Sequence, residues 1–522
     1  MDTSAARPSW CSLPPEIRVL VLQCLIPRYG QPKTTTRRRF GKAPCLATVS
    51  REWQCFFEKE AFRLMAIKSS DLSEFAKVVR EKNAIRLDYI KHLRLNVQLA
   101  EYTCRVCDKP ESARNIAQDN RDFTYAIAVL LDSLSSWKGI RGGLTLEIIA
   151  YSPSDQEHHR VGLELSDDFP FLFEEDLGKS PDYSEYCRQK REENRRRSQG
   201  IRPHPTDTQH GMAQRLRGSP LELQPWLGDK PQSYGKCIRN LQDVPIVKGL
   251  LLRQEFLRGI ALKSLAKLCR ESFVALESFR LERYVGLTRE AEQGFYKELR
   301  TDLMPALPTS VERFAFMQMR RQDSFRDQPF STVIKPLEWE LGVSCHRFAE
   351  FVPPYNINAN RFLKRIVKHG RREGSKLQHL SIHSNALYPS ANPHRVMESL
   401  ALAGRAAQFL PRLRTLEIWN SDHKFGYLFR YTQDDFEAKI TWRWAKTEFA
   451  LVPSVIDEWV KVASTRALAV ETFPFTEEDG NEDGLGFGNA AIIRHLALRR
   501  LAFDPISEAR HRAWAARRKR RR

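Results

Sequence analysis

Apolar positions along this chain alternate between two rhythms. A three-to-four-residue spacing predicts helix, and a short every-other-residue spacing predicts strand. Helices are predicted over 71–86, 120–137, 257–274, 288–304, 361–371, 394–409 and 453–463. A brief apolar run follows each: Ile90, Leu93 and Leu95; Leu144, Leu146 and Ile148; Leu276, Phe279 and Leu281; Val311, Phe314 and Phe316; Leu377, Leu380 and Ile382; Leu413, Leu416 and Ile418; Val470, Phe473 and Phe475. Ile493, Leu496 and Leu498 form a last such run. Helices alternating with short strands argue for parallel strands joined by helical crossovers, an α/β fold.

The N-terminal stretch is purely helical by the same test. Ser12 is a candidate cap, Pro14 and Pro15 fit a first turn, and Ile17, Leu20, Val21, Cys24 and Leu25 make one stripe. Pro27 and Gly30 stop it. Leu46, Val49, Trp53, Phe56 and Phe57 make a second stripe, with Arg51 and Glu52 turned outward. Two amphipathic helices of an ordinary helical domain would read this way. The order Leu13-Pro14, Glu16-Ile17, an Ile/Leu-rich helix, then Val49-Ser50-Arg51 and Trp53 also resembles an F-box. That module docks a protein onto the Skp-family adaptor of an SCF-type cullin–RING ubiquitin ligase. The resemblance implies an adaptor-binding face of Leu13, Pro14, Ile17, Leu20, Val21, Leu25, Val49 and Trp53, with Trp53 as an anchor. One departure is a long basic insertion at 28–44 carrying Lys33, Arg37, Arg38, Arg39 and Lys42. Chain-wide, the VSREWQ-to-EYTCRVC stretch and an aromatic hairpin resemble fungal F-box proteins with a long C-terminal region of unknown role.

Past residue 62 the apolar spacing resembles a leucine-rich repeat, best in LQHLSIHSNAL, where Leu377, Leu380, Ile382, Asn385 and Leu387 fall at the expected offsets. In such repeats the Asn side chain satisfies backbone groups after the strand. Spacing is irregular: 35 residues from Phe279 to Phe314 and 36 from Leu380 to Leu416, with longer gaps elsewhere. The expected architecture is therefore a helical F-box followed by an irregular leucine-rich-repeat-like α/β solenoid. Unrelated α/β units in one or two domains are the alternative. Around 425–445, Tyr427, Phe429, Tyr431, Ile440, Trp442 and Trp444 alternate as an inserted β-hairpin. Segment 178–235, rich in Arg, Pro, Gly, Gln and His, reads as a disordered basic loop, and 477–488 as an acidic, Gly-rich loop. The expected organisation is thus 1–62, 63–177, 178–235, 236–504 and a basic tail at 505–522.

A chain of 522 residues exceeds one compact core and suits several domains or an extended repeat. Its net charge of +20 is uneven. The tail holds eight Lys/Arg against Glu508, or +7, and 185–217 holds nine against four acids, or +5. The run Arg517 to Arg522 suits nuclear import, a nucleic-acid-contacting arm or a solvated end. With no apolar leader or membrane-length run, and ten scattered cysteines, the expected setting is the cytosol or nucleus, with no membrane partner.

Chemical motifs are sparse. Cys104 and Cys107 form a lone C-x-x-C without a second ligand pair; Cys187 and Cys237 lie far off, so two free thiols are the simpler reading and no metal or cofactor is expected. His158-His159 reads as a solvated pair, and Gly484, Gly486 and Gly488 do not match a dinucleotide fingerprint. No phosphate-loop, zinc-protease or nucleophile-elbow motif occurs, so a binding protein rather than an enzyme is expected. In a solenoid, the neighbours of inward strand residues face out. Arg94, Arg280, Ser381, Glu417 and Ala497 would then line an exposed sheet and hold a target protein, flanked by His379, His383 and Trp419. Packing under the hairpin is the alternative for Trp419. A ligase-independent scaffold and a nuclear nucleic-acid-associated protein are the rival functions.

Overall fold

Each strand pairs with the strand that follows it in sequence. The computed structural model describes residues 10–26, 43–137, 139, 142–159, 214–224, 241–253, 258–286, 288–319, 331–355, 357–370, 374–388, 390–422, 425–445, 448–476 and 489–508. In it, twelve strands form one sheet: β1 (Leu64–Lys68), β2 (His92–Gln98), β3 (Leu144–Tyr151), β4 (Val247–Leu252), β5 (Ser278–Tyr284), β6 (Arg313–Met319), β7 (Glu350–Val352), β8 (His379–His383), β9 (Thr415–Asp422), β10 (Phe425–Gln433), β11 (Glu437–Ala445) and β12 (Ala467–Pro474). Neighbours are parallel except β9–β10 and β10–β11. Two reversals cancel, so β12 again runs parallel to β11.

The crossover helices cover one face. Leu93, Leu146, Phe279, Phe314, Leu380 and Leu416 point into the same continuous core as Phe123 and Leu130 of helix Ala113–Leu134, Phe362 of Ala359–His369 and Trp459 of Pro453–Ala463. Stacked rings run along it, Phe279 to Phe314 at 5.8 Å and Phe314 to Phe351 at 5.3 Å. Ser112, Thr288, Asn358 and Asn392 cap four of the helices, each side chain accepting a first-turn backbone N–H.

The expected hairpin is present: β10 and β11 pair antiparallel and, as two strands of the main sheet, put Tyr427, Phe429, Tyr431 and Trp442 into the helix-side core. Three expectations need correction. The run Ile493, Leu496, Leu498 is not a strand. Ile492, Ile493 and Leu496 sit at helical spacing, and the chain forms helices Asn489–His495 and Arg499–Ala502 on the opposite face. Within 178–235, residues 214–224 are built into the fold: Leu221 bridges Ile260, and Leu216 and Leu221 are buried. Asn385 is exposed and bonds nothing in its turn; Asn420 of the next strand donates to the Leu387 carbonyl at 2.8 Å. The rest of 178–235, most of 28–44, segment 477–488 and the tail beyond 508 lie outside the described residues.

The N-terminal helices are α1 (Pro15–Cys24) and α2 (Arg51–Arg63). Proline at N1 opens α1 without any side-chain cap, while Ser12 ends a preceding 3-10 turn. Ser50 caps α2 through the Trp53 N–H.

Candidate functional site

Helix α1 has two unlike faces. Leu22 is buried against Phe57 of α2, with Trp10, Ile26, Leu46, Trp53 and Phe56 around them. Trp10 Nε1 and Arg18 both reach Glu52, at 2.9 and 3.3 Å, and pin the helices together. Away from Leu22, Ile17, Leu20 and Val21 are exposed, Leu20 at 54%; Val19 and Leu25, three residues to either side of Leu22, are exposed at its flanks, and Val49 is exposed at 59%. Leu13 is half-buried and Pro14 exposed. Trp53 departs from the expected face. It is half-buried between Trp10 and Phe57, at 5.6 and 5.8 Å, and so packs inside the helix pair.

The second face of the sheet carries charge where the first carries hydrocarbon. Arg253 lies between Glu147, 2.8 Å from its Nε, and Asp504, which it also pairs. His92 Nε2 is 2.8 Å from the other Glu147 oxygen. Burial pushes the Glu147 carboxyl upward, but Arg253 and His92 outweigh it and hold the group well below the usual carboxylate range. The nearest cation to Glu282, Arg280, stands farther off, at 3.9 Å. Burial, aided by the Asp504 carboxylate, raises it to about 7, and Ser507 donates to it.

Residues 489–508 form a strap over this face. Arg280 donates to the carbonyls of Arg500 and Leu501 at 2.6 and 3.0 Å. Glu417 accepts the N–H groups of Ala497 and Leu498, and Arg430 donates to the His495 carbonyl. Phe503 closes an aromatic cluster with Trp419 and Tyr355, at 6.0 and 5.8 Å.

The strap corrects the expected target-facing row. Ser381, Glu417 and Trp419 are buried, not exposed. Trp419 lies beside Leu428 of the hairpin strand and beneath Phe503, its Nε1 donating to Ser381 Oγ at 3.2 Å. His383 is half-buried beside Tyr355 and Trp419, and burial lowers it to about 4. Arg94, Arg280 and His379 are only half-buried, and Ala497, on the strap itself, is exposed. The sequence places these residues on the side of the sheet away from the crossover helices but hides its cover, because the covering segment reads as one more repeat unit.

Beside the strap the sheet is open. A cavity of about 460 Å³ runs across the starts of β2 to β7. Thr145, Gly249 and Ser278 form its floor; Lys91, Lys248, Arg280, Arg313 and Arg500 surround it, with Glu350 at one end. Gly249 keeps the floor low, since a Cβ there would meet Thr145 Oγ1 at 2.7 Å. At the rim Gly143 has φ +146°, and a Cβ would meet the Ile246 carbonyl at 2.9 Å. Sequence reasoning named only Arg280 of these cations; nothing in the linear order gathers residues 91 to 500.

Cys104 is exposed and Cys107 buried, its thiol donating to the Cys104 carbonyl. Burial raises the Cys107 thiol. His158 stands in helix Ser154–His159, half-buried, with its ring 5.6 Å from Tyr102. Among the described residues no group of three His, Cys, Asp or Glu side chains is placed to hold a metal ion. Among them, no helix is long and apolar enough to cross a membrane.

Residues 307–504 are similar to a protein family described as a family of unknown function (DUF6546). The similar stretch runs from just before β6 to Asp504, so it takes in the hairpin and most of the strap. No curated protein matches the chain.

Proposed function

We propose that this chain is the substrate receptor of an SCF-type cullin–RING ubiquitin ligase. Residues 13–57 act as an F-box that docks on an Skp-family adaptor, and the sheet region holds a protein target. The observation that carries the reading is the outer face of α1. Ile17, Val19, Leu20 and Val21 stand exposed on a ten-residue helix that buries Leu22, and Leu25 is exposed just past its end. A contiguous apolar face of this kind marks an interaction surface. The ordered parallel strands with helices along one side support a leucine-rich-repeat-like solenoid, irregular because two antiparallel turns interrupt it. The receptor supplies proximity and orientation, and the ligase supplies the bond-making chemistry.

The test is adaptor co-purification with Ile17→Asp and Leu20→Asp together. Loss of the adaptor from a folded chain is the expected result, and undiminished binding would sink the reading. Comparing target abundance with and without the chain separates a receptor from a ligase-independent scaffold, since only a receptor makes its target accumulate when removed.

A further inference from the structure

We infer that the basic groove across β2 to β7 binds an extended, acidic peptide segment. This deepens the receptor reading and rests on it for the origin of the peptide, which would be a stretch of the target. Five cations and one carboxylate line the groove. Three of the cations already have partners: Arg280 serves the strap carbonyls, Arg500 pairs with Glu508 at 3.1 Å, and Lys248 with Glu277 at 3.0 Å. Lys91 and Arg313 are exposed and have no ion-pair partner among the described residues. They stand on opposite sides of the groove, one ahead of β2 and the other on β6. Four strand spacings of ~4.8 Å separate those strands, so the two cations are roughly 19 Å apart along the sheet. A lone phosphate-sized anion cannot serve both, but about six extended residues at ~3.3 Å each can.

Two features favour peptide over nucleic acid. Phe279, the one aromatic in the lining, is fully buried in the helix-side core, so bases have no stacking platform. The floor of Gly249, Thr145 and Ser278 admits a main chain close to the sheet and offers it two hydroxyls.

The experiment is fluorescence anisotropy of the full chain with labelled hexaglutamate, hexaserine and a ten-nucleotide oligothymidylate at matched ionic strength. Hexaglutamate is expected to bind and hexaserine not to. Lys91→Glu with Arg313→Glu should weaken hexaglutamate at least about tenfold, because charged contacts at both ends are lost. Lys263→Glu with Lys267→Glu, an equal change in net charge on the solvent side of helix Leu262–Glu271, away from the groove, should leave it unchanged. The inference is overturned if both double variants weaken binding alike, if neither does, or if oligothymidylate displaces hexaglutamate from the parent but not from the groove variant. Adaptor co-purification by the groove variant separates the two readings. A groove that fails with the adaptor still bound overturns only the peptide site.

Discussion

Glu417 on β9 accepts the backbone N–H of Ala497 at 2.7 Å, across eighty residues of chain. The same carboxylate takes the Leu498 N–H at 3.0 Å and pairs with Arg430 at 2.7 Å. One fully buried side chain thus holds the strap by main-chain groups that any sequence there would offer. Removing it strands two donors and leaves Arg430 with the His495 carbonyl but no carboxylate, and Glu417→Ala should cost about 3–5 kcal/mol. Hydrogen exchange should rise first at 496–503. Unaltered protection there would show that the other contacts hold the strap without Glu417.

Stability should depend on Glu282 in the opposite sense to most carboxylates. Its folded value is raised from 4.5 to about 7, so its contribution is complete below 4.5 and disappears as pH climbs through about 7. Glu147 is held low, so its contribution is complete above 4.5 and is lost as pH falls further. Urea midpoints measured from pH 5 to 8 should decline more steeply for the parent chain than for Glu282→Gln. Parallel profiles would refute the assignment.

The two faces of α1 should separate folding from docking. Leu20→Asp changes an exposed position and should alter stability by no more than about 0.5 kcal/mol. Phe57→Ala empties the small core under Leu22 and should cost about 3–5 kcal/mol. Limited trypsin digestion of residues 10–63 would report the difference. Equal resistance of both variants would mean that Leu22 and Phe57 do not hold the pair together.

Trp419 is wedged among Tyr355, His383 and Phe503, with ring centroids 5.0 to 6.0 Å away. Trp419→Ala should cost about 3–5 kcal/mol by chemical denaturation. Trp419→Phe should restore most of that, losing mainly the bond to Ser381. A cost equal to that of alanine would assign the energy to that bond rather than to packing.

The repeating strands were legible because each keeps alternation on a one-sided core: Phe279 and Leu281 face helices, Arg280 does not. Strands β1, β4 and β7 escaped for separate reasons. Leu250, Leu251 and Leu252 of β4 are buried on both faces, which erases alternation. Strand β7 is only Glu350–Val352. Strand β1 starts at Leu64, directly after α2 ends at Arg63, with no turn residues to announce it. Adding β4 and β7 splits two of the long gaps, but 52 residues still separate the starts of β2 and β3, and 103 those of β3 and β4. The groove was unreadable because its cations come from segments hundreds of residues apart, while the α1 face was readable from ten consecutive positions.

The pairing of Arg253 with Asp504 also imposes an order on synthesis. At ~5–20 residues per second, the 251 residues between them take on the order of tens of seconds to emerge. During that interval each strand can add to the one before it, since neighbours in space are neighbours in sequence. The face bearing Glu147, Arg253 and Glu282 must wait, wet and charged, until the strap arrives. A chain ended between β12 and residue 489 would therefore have its whole sheet and an unsealed polar side.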